Sequence, residues 1–155
     1  IHLDASMACG GEPNPSFEQI AQRTADLCAV AESFAPNPSA LVYIIGTEVP
    51  IPGGEKEEPE RLNVTSEDRL IATIETHQQA FQSAGTENAW RCIVVVVTKP
   101  VVDFGHSTVF PFIPRNAQHL CKAISHEPNL VFEAHSTDYQ SNGSLQALVQ
   151  AHFFS

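Results

Sequence analysis

Basic residues are scarce in this chain. Lysine and arginine together number 8, against 18 aspartates and glutamates, for a formal net charge of −10. Nucleic-acid binding draws on clustered Lys and Arg that neutralise phosphates, so this balance argues against such a partner. It argues equally against an anionic membrane surface. No stretch approaches the roughly 20 apolar residues of a membrane span; the apolar run Cys92–Val97 has only the length of a strand. The opening Ile1-His2-Leu3-Asp4 has no basic region followed by an apolar one, so no signal peptide is visible. It reads as the middle of a strand. The 4 cysteines (Cys9, Cys28, Cys92 and Cys121) show no C-x-x-C spacing, which excludes the usual zinc and redox motifs. They are expected to be free thiols in a reducing, cytoplasmic setting. Also missing are G-x-G-x-x-G, G-x-x-x-x-G-K-[ST] and G-x-S-x-G, and with them the nucleotide-binding and hydrolase signatures.

What is present alternates strand, loop and helix. Ile1–Asp4 reads as a strand end. Ser16 with Gln19 has capping-box spacing, and apolar residues from Phe17 to Phe34 then recur at helical intervals. Leu41–Gly46 is a short apolar strand buried on both faces. A long Pro-, Gly- and Glu-rich segment runs from Thr47 to Asn63. Thr65 with Asp68 predicts the cap of a second helix, along which Leu70, Ile71, Ile74, His77, Ala80 and Phe81 recur at helical spacing. Cys92–Thr98 is a third strand, Pro100–Pro114 a loop, Arg115–His126 a third helix and Leu130–Ala134 a fourth strand. A last helical stretch opens at Gly143 or Ser144.

Apolar strands alternating with amphipathic helices predict parallel βαβ units. Two architectures accommodate them: an open doubly wound sheet, and part of a (β/α)8 barrel. A whole barrel takes about 250 residues, so about half of one fits in 155.

In either architecture, sites lie at the carboxyl ends of the strands. Polar residues gather at four such places: His2 and Asp4; Gly46, Thr47 and Glu48; Asp103 and His106; and Glu133, His135, Ser136, Thr137 and Asp138. A carboxylate straight after a buried strand, as at Glu48, is costly unless paired or metal-bound. His135 has hydroxyl and carboxylate neighbours able to orient its ring. Ser136, His135 and Asp138 are too close in sequence to line up as nucleophile, base and orienter. Imidazole with carboxylates instead suits a divalent metal acting as a Lewis acid on a sugar carbonyl. His77, His119 and His126 are expected on the outer surface, and Trp90 and Phe81 in helix–barrel packing. Gly53-Gly54 offers backbone amides to a phosphate.

The runs Ile45-Gly46-Thr47-Glu48-Val49-Pro50-Ile51-Pro52-Gly53-Gly54 and Glu133-Ala134-His135-Ser136-Thr137-Asp138-Tyr139-Gln140 resemble the Z-type subunits of class II tagatose-bisphosphate aldolases. His2–Met7 and Thr98–Phe104 resemble the neighbouring strand ends of that family more loosely. The resemblance implies α/β architecture, with residues 1–155 forming a single incomplete TIM barrel of about four βα units, truncated at both ends. It implies further strands before Ile1, one of them ending in an Asp-His pair. It also implies an accessory, non-catalytic role beside a catalytic Y-type subunit in galactitol, N-acetylgalactosamine or tagatose catabolism. The alternative it carries is a metal-dependent 4-epimerase acting on ketohexoses or their phosphates. By position, Glu48, His135 and Asp4 are the implied catalytic residues. His135 and Glu48 are the implied ligands of zinc or a similar divalent ion. Ser136, Thr137, Asp138, Gly53 and Gly54 are the implied contacts to a sugar phosphate.

Overall fold

The computed structural model describes residues 1–48, 64–100, 102–104 and 108–154. Helix α1 (Phe17–Phe34) is followed by a 3-10 turn (Pro38–Ala40) and strand β1 (Tyr43–Ile45). Next come α2 (Glu67–Ser83), the short α3 (Glu87–Trp90) and β2 (Ile93–Val97). A hairpin, β3 (Asp103–Phe104) and β4 (Val109–Phe110), precedes α4 (Pro114–Ile124). The chain then forms β5 (Val131–Glu133), α5 (Asn142–Gln150) and β6 (Phe153–Phe154).

Local chemistry sets several of these boundaries. Ser16 and Gln19 form the reciprocal capping box at the start of α1, satisfying two amide donors that the first turn leaves free. The α2 cap falls one residue later than the spacing predicts: Ser66, not Thr65, accepts from the Arg69 amide, at 3.2 Å. Thr65 is free for another task, described below. The Pro100–Pro114 loop contains the antiparallel β3–β4 hairpin. Phe153–Phe154 forms a strand the apolar pattern alone did not mark, two residues being too few to show a period.

The main sheet runs β1-β2-β5-β6, every pair parallel. A bridge between His2 and Ile44, also parallel, adds the N-terminal segment outside β1. Order in space therefore follows order in sequence and never reverses. A doubly wound sheet changes direction at a switch point; a barrel winds one way. The sheet is an open arc of a barrel.

Register divides the arc into two faces. Ile45, Val96, Phe132 and Phe153 are successive partners, and all four are buried under the helices. There they join Ala21, Cys28, Leu70, Phe81 and Leu120. Phe81 and Trp90 pack edge to face at 5.6 Å, as expected of helix–barrel packing. The opposite face carries His2, Ile44, Val95, Val131, Val97, Glu133 and Phe154. This concave face is partly open, with Val131 37% and Phe154 41% exposed.

Gly46 lies where β1 passes β2 most closely. A Cβ built there would sit 2.7 Å from Val97 Cβ, well inside the contact distance of two carbons. Only glycine fits.

His77 departs from the expected surface location. It is fully buried on α2, with Nδ1 2.8 Å from the Thr73 carbonyl and Nε2 unpartnered. Its position follows from helical spacing with Leu70, Thr73 and Ala80, buried on that same face. Ile71 turns outward instead, 41% exposed. His119 is half-buried, and its Nε2 approaches the Thr65 carbonyl at 2.8 Å, which ties α4 to the entry of α2. His126 is exposed, as expected.

Candidate functional site

The concave face brings together three side chains from the two flanks of the arc. His2 comes from the N-terminal edge, Glu133 ends β5, and His135 lies two residues beyond. His2 Nε2 is 3.1 Å from Glu133 Oε2, and His135 Nε2 is 3.4 Å from Glu133 Oε1. The two imidazoles meet edge to face, their centroids 6.1 Å apart. His2 and Glu133 stand three strand positions apart, roughly 14 Å in a flat sheet at the usual inter-strand spacing. Their contact depends on the curvature of the arc.

The cluster is close but not hydrogen-bonded. Glu133 Oε2 and His135 Nε2 are both buried, and neither makes a hydrogen bond of acceptable geometry. Buried polar atoms left in this way are rare and call for an explanation. The three residues can each offer one donor atom, all within 4.8 Å of one another. A tetrahedral divalent ion with ligands at about 2.0–2.2 Å sets its donor atoms about 3.3 Å apart. Two neutral imidazoles and one carboxylate suit zinc and similar ions. The donor set therefore fits a divalent metal. Sequence reasoning singled out His135 but left Glu133 and His2 as general strand-end polarity. Alternation along β5 could have placed Glu133 on the face of His135; nothing local could have paired either with His2.

Glu48 leaves the same carboxyl end of the sheet but stands outside this group. One of its carboxylate oxygens forms an ion pair with Arg69, 2.5 Å from Nε, and the other accepts from the Thr65 hydroxyl. The Arg69 guanidinium lies over the Phe17 ring, 4.8 Å from its centroid. The strand-end carboxylate is thus paired, one of the two ways of offsetting its desolvation. Thr65 joins four elements. Besides Glu48, it receives the Lys99 amide on its hydroxyl at 2.8 Å and donates its own amide to the Lys99 carbonyl at 3.0 Å. Its carbonyl meets His119.

Asp4 is exposed and closes a local turn, accepting from the Ser6 amide at 3.1 Å and hydroxyl at 2.8 Å. Asp103 likewise accepts from its neighbour, the Phe104 amide, at 2.8 Å. After His135 the backbone turns sharply: Ser136 has φ 57° and Tyr139 φ 63°, a region non-glycine residues avoid and that gathers at functional sites. Ser136 and Thr137 are half-buried, and Asp138 is exposed. Gln140 secures this loop, its amide bridging the Phe112 amide at 3.0 Å and the Phe110 carbonyl at 2.9 Å. Gly53, Gly54 and His106 lie outside the described residues.

Cys9, Cys28, Cys92 and Cys121 are all free. Burial pushes the Cys28 thiol up to about 11, despite its hydrogen bond to Tyr43. Such a thiol is inert at neutral pH.

Residues 1–154 match the family described as D-tagatose-1,6-bisphosphate aldolase subunit GatZ/KbaZ-like. The chain belongs to this family. A D-tagatose-1,6-bisphosphate aldolase subunit GatZ of Salmonella enteritidis is 42% identical over 156 residues, covering 99% of this chain and 37% of the relative. The subunit of the same name from Escherichia coli O139:H28 matches with the same identity and coverage. Among solved structures, a probable tagatose 6 phosphate kinase from Sinorhizobium meliloti superposes with a TM-score of 0.82 at 37% identity. That superposition covers 98% of this chain and 36% of the other. This GatZ/KbaZ-like chain thus spans little more than a third of the length of the relatives it matches. Among the described residues, no helix is long and apolar enough to cross a membrane.

Proposed function

We propose that this chain supplies the metal-binding, sugar-phosphate-facing part of a barrel that serves as the accessory Z-type subunit of a class II tagatose-bisphosphate aldolase. In this reading the protein works in cytoplasmic tagatose, galactitol or N-acetylgalactosamine catabolism. A separate Y-type subunit is its partner and performs the aldol cleavage. The relatives named as aldolase subunits support the accessory role. The cluster of His2, Glu133 and His135 is the observation that carries the site. These residues would hold a divalent ion, zinc or similar, whose chemistry is Lewis-acid polarisation of a sugar oxygen. Glu133 would supply the carboxylate ligand between the two imidazoles, and the Ser136–Asp138 turn supplies hydroxyl and carboxylate groups to a bound sugar. Glu48 is a positioning residue, fixing the mouth of the site through Arg69 and Thr65.

The same cluster favours a second reading. A built ligand set has no purpose in a purely scaffolding subunit, and it suits metal-dependent 4-epimerisation of a ketohexose phosphate. One experiment separates the two. The protein, as its gene encodes it, is assayed with divalent metal, alone and with a Y-type subunit, on tagatose 1,6-bisphosphate and fructose 6-phosphate. Cleavage that needs both subunits supports the accessory reading. Epimerisation by this protein alone, lost on His135→Ala or Glu133→Ala, establishes the second. Neither activity under any combination refutes both.

A further inference from the structure

We propose that Lys99 is the residue that binds the anionic group of the ligand, a phosphate monoester, beside the His2–Glu133–His135 cluster. This rests on the reading of the concave face as a metal and sugar-phosphate site and adds its missing positive charge.

Three observations carry it. The first is position. Val97 and Glu133 are register partners on the concave face, and the Thr98 amide still bonds to the Glu133 carbonyl at 3.1 Å. Side chains alternate along the strand. Thr98 is 2% exposed, turned into the protein. Lys99 therefore returns to the face of Val97 and Glu133. Two residues past Val97, it stands level with His135, two residues past Glu133.

The second is charge. The chain holds 18 acidic residues against 8 basic ones, so a lysine should find a carboxylate easily. Among the described residues the ion pairs use Arg23, Arg69, His2 and His135, and none uses Lys99. The Glu48 carboxylate at the neighbouring strand end is taken by Arg69 and Thr65. A half-buried lysine with no carboxylate partner among the described residues, at the carboxyl end of a barrel strand, is placed as substrate-binding groups in barrels are.

The third is anchoring. Thr65 holds the Lys99 main chain on both sides, at its amide and at its carbonyl. The side chain thus projects from a fixed point, which lowers the ordering cost of gripping a ligand. Lysine is a strong phosphate ligand as a point charge with three donors.

The test uses the protein as its gene encodes it, with inorganic phosphate and Mn²⁺ as separate calorimetric probes. Lys99→Met should weaken phosphate binding about tenfold or more, the loss of one charge-assisted hydrogen bond. Lys99→Arg should keep most of it, because the positive charge remains. Mn²⁺ affinity should be unchanged in Lys99→Met and lost in His135→Ala. Phosphate bound equally by the native protein and Lys99→Met, or not bound by the native protein, overturns the proposal. Phosphate binding that depends on Lys99 without any Mn²⁺ binding would uphold Lys99 and refute the metal reading.

Discussion

Replacing Gly46 by alanine puts a methyl group where β2 already lies. The new Cβ would stand 2.7 Å from Val97 Cβ and 3.1 Å from Val97 Cγ2. Carbon atoms in contact prefer about 3.5–4.0 Å, so β1 and β2 must part by roughly 1 Å or twist. Neither neighbour can give easily, because Val97 is buried and its partner Glu133 is fixed in the ladder. Overpacking of this kind costs about 1–3 kcal/mol. At about 2–4 °C per kcal/mol for a chain of this size, the thermal midpoint should fall by about 2–12 °C. Urea denaturation followed by far-ultraviolet circular dichroism measures the same loss as a lower midpoint at unchanged slope. The steric origin has its own check. In Gly46→Ala with Val97→Ala the 2.7 Å contact survives, since alanine keeps its Cβ, so little should be recovered. In Gly46→Ala with Val97→Gly the contact vanishes, and the two single costs should fail to add by about 1 kcal/mol or more. A Gly46→Ala protein that melts with the native one would refute the close approach of β1 and β2.

Three further outcomes are expected. Burial holds the His77 imidazole below its ordinary 6.5, so the unfolded chain takes up a proton before the folded one does. The stability this contributes is full above the unfolded value and is lost as pH falls below it. Urea midpoints taken between neutral pH and about pH 5 should therefore decline more steeply in the native protein than in His77→Gln; equal slopes would remove the effect. Thr65→Val should cost about 1–3 kcal/mol, the penalty for leaving the Lys99 amide and Glu48 without their hydroxyl partner, while Thr65→Ser should recover most of it in the same denaturation assay. Zinc or manganese should raise the melting temperature of the native protein and leave that of Glu133→Ala unmoved, and a chelator should reverse the rise.

The readable part of this fold is local. Ser16 and Gln19 mark a helix start because capping is settled within four residues. The apolar run at β2 marks a strand buried on both faces, where burial removes alternation; the run at β1, expected to be the same, buries Tyr43 and Ile45 but leaves Ile44 half-buried and Val42 52% exposed. The cap falls at Ser66 and not Thr65 although only Thr65 has an acidic residue three positions on, Ser66 being followed there by Arg69. Only the tertiary contacts of Thr65, with Glu48 and Lys99, show which of the two is committed elsewhere. His77 lies on the buried face by spacing, yet a polar side chain argues for the surface; the packing of α2 against α1 and α4 overrode that preference. His135 was visible from its place after a strand. Its connection to His2 was not, since their meeting depends on how far four neighbouring strands bend, a quantity no short stretch of sequence encodes.

His2 and Glu133 meet as a chord drawn across the arc. A chord shortens only if the arc bends, so the distance between these two side chains measures the curvature of the whole sheet. Any loss of bend anywhere among the intervening strands parts them and dissolves the ligand set. Thermodynamic linkage makes the relation reciprocal. An ion that binds the assembled cluster must tighten the sheet by the same free energy that the bend contributes to its affinity. Metal affinity would then serve as a reporter of barrel shape, sensitive to substitutions in β1 and β2 that touch none of the ligands.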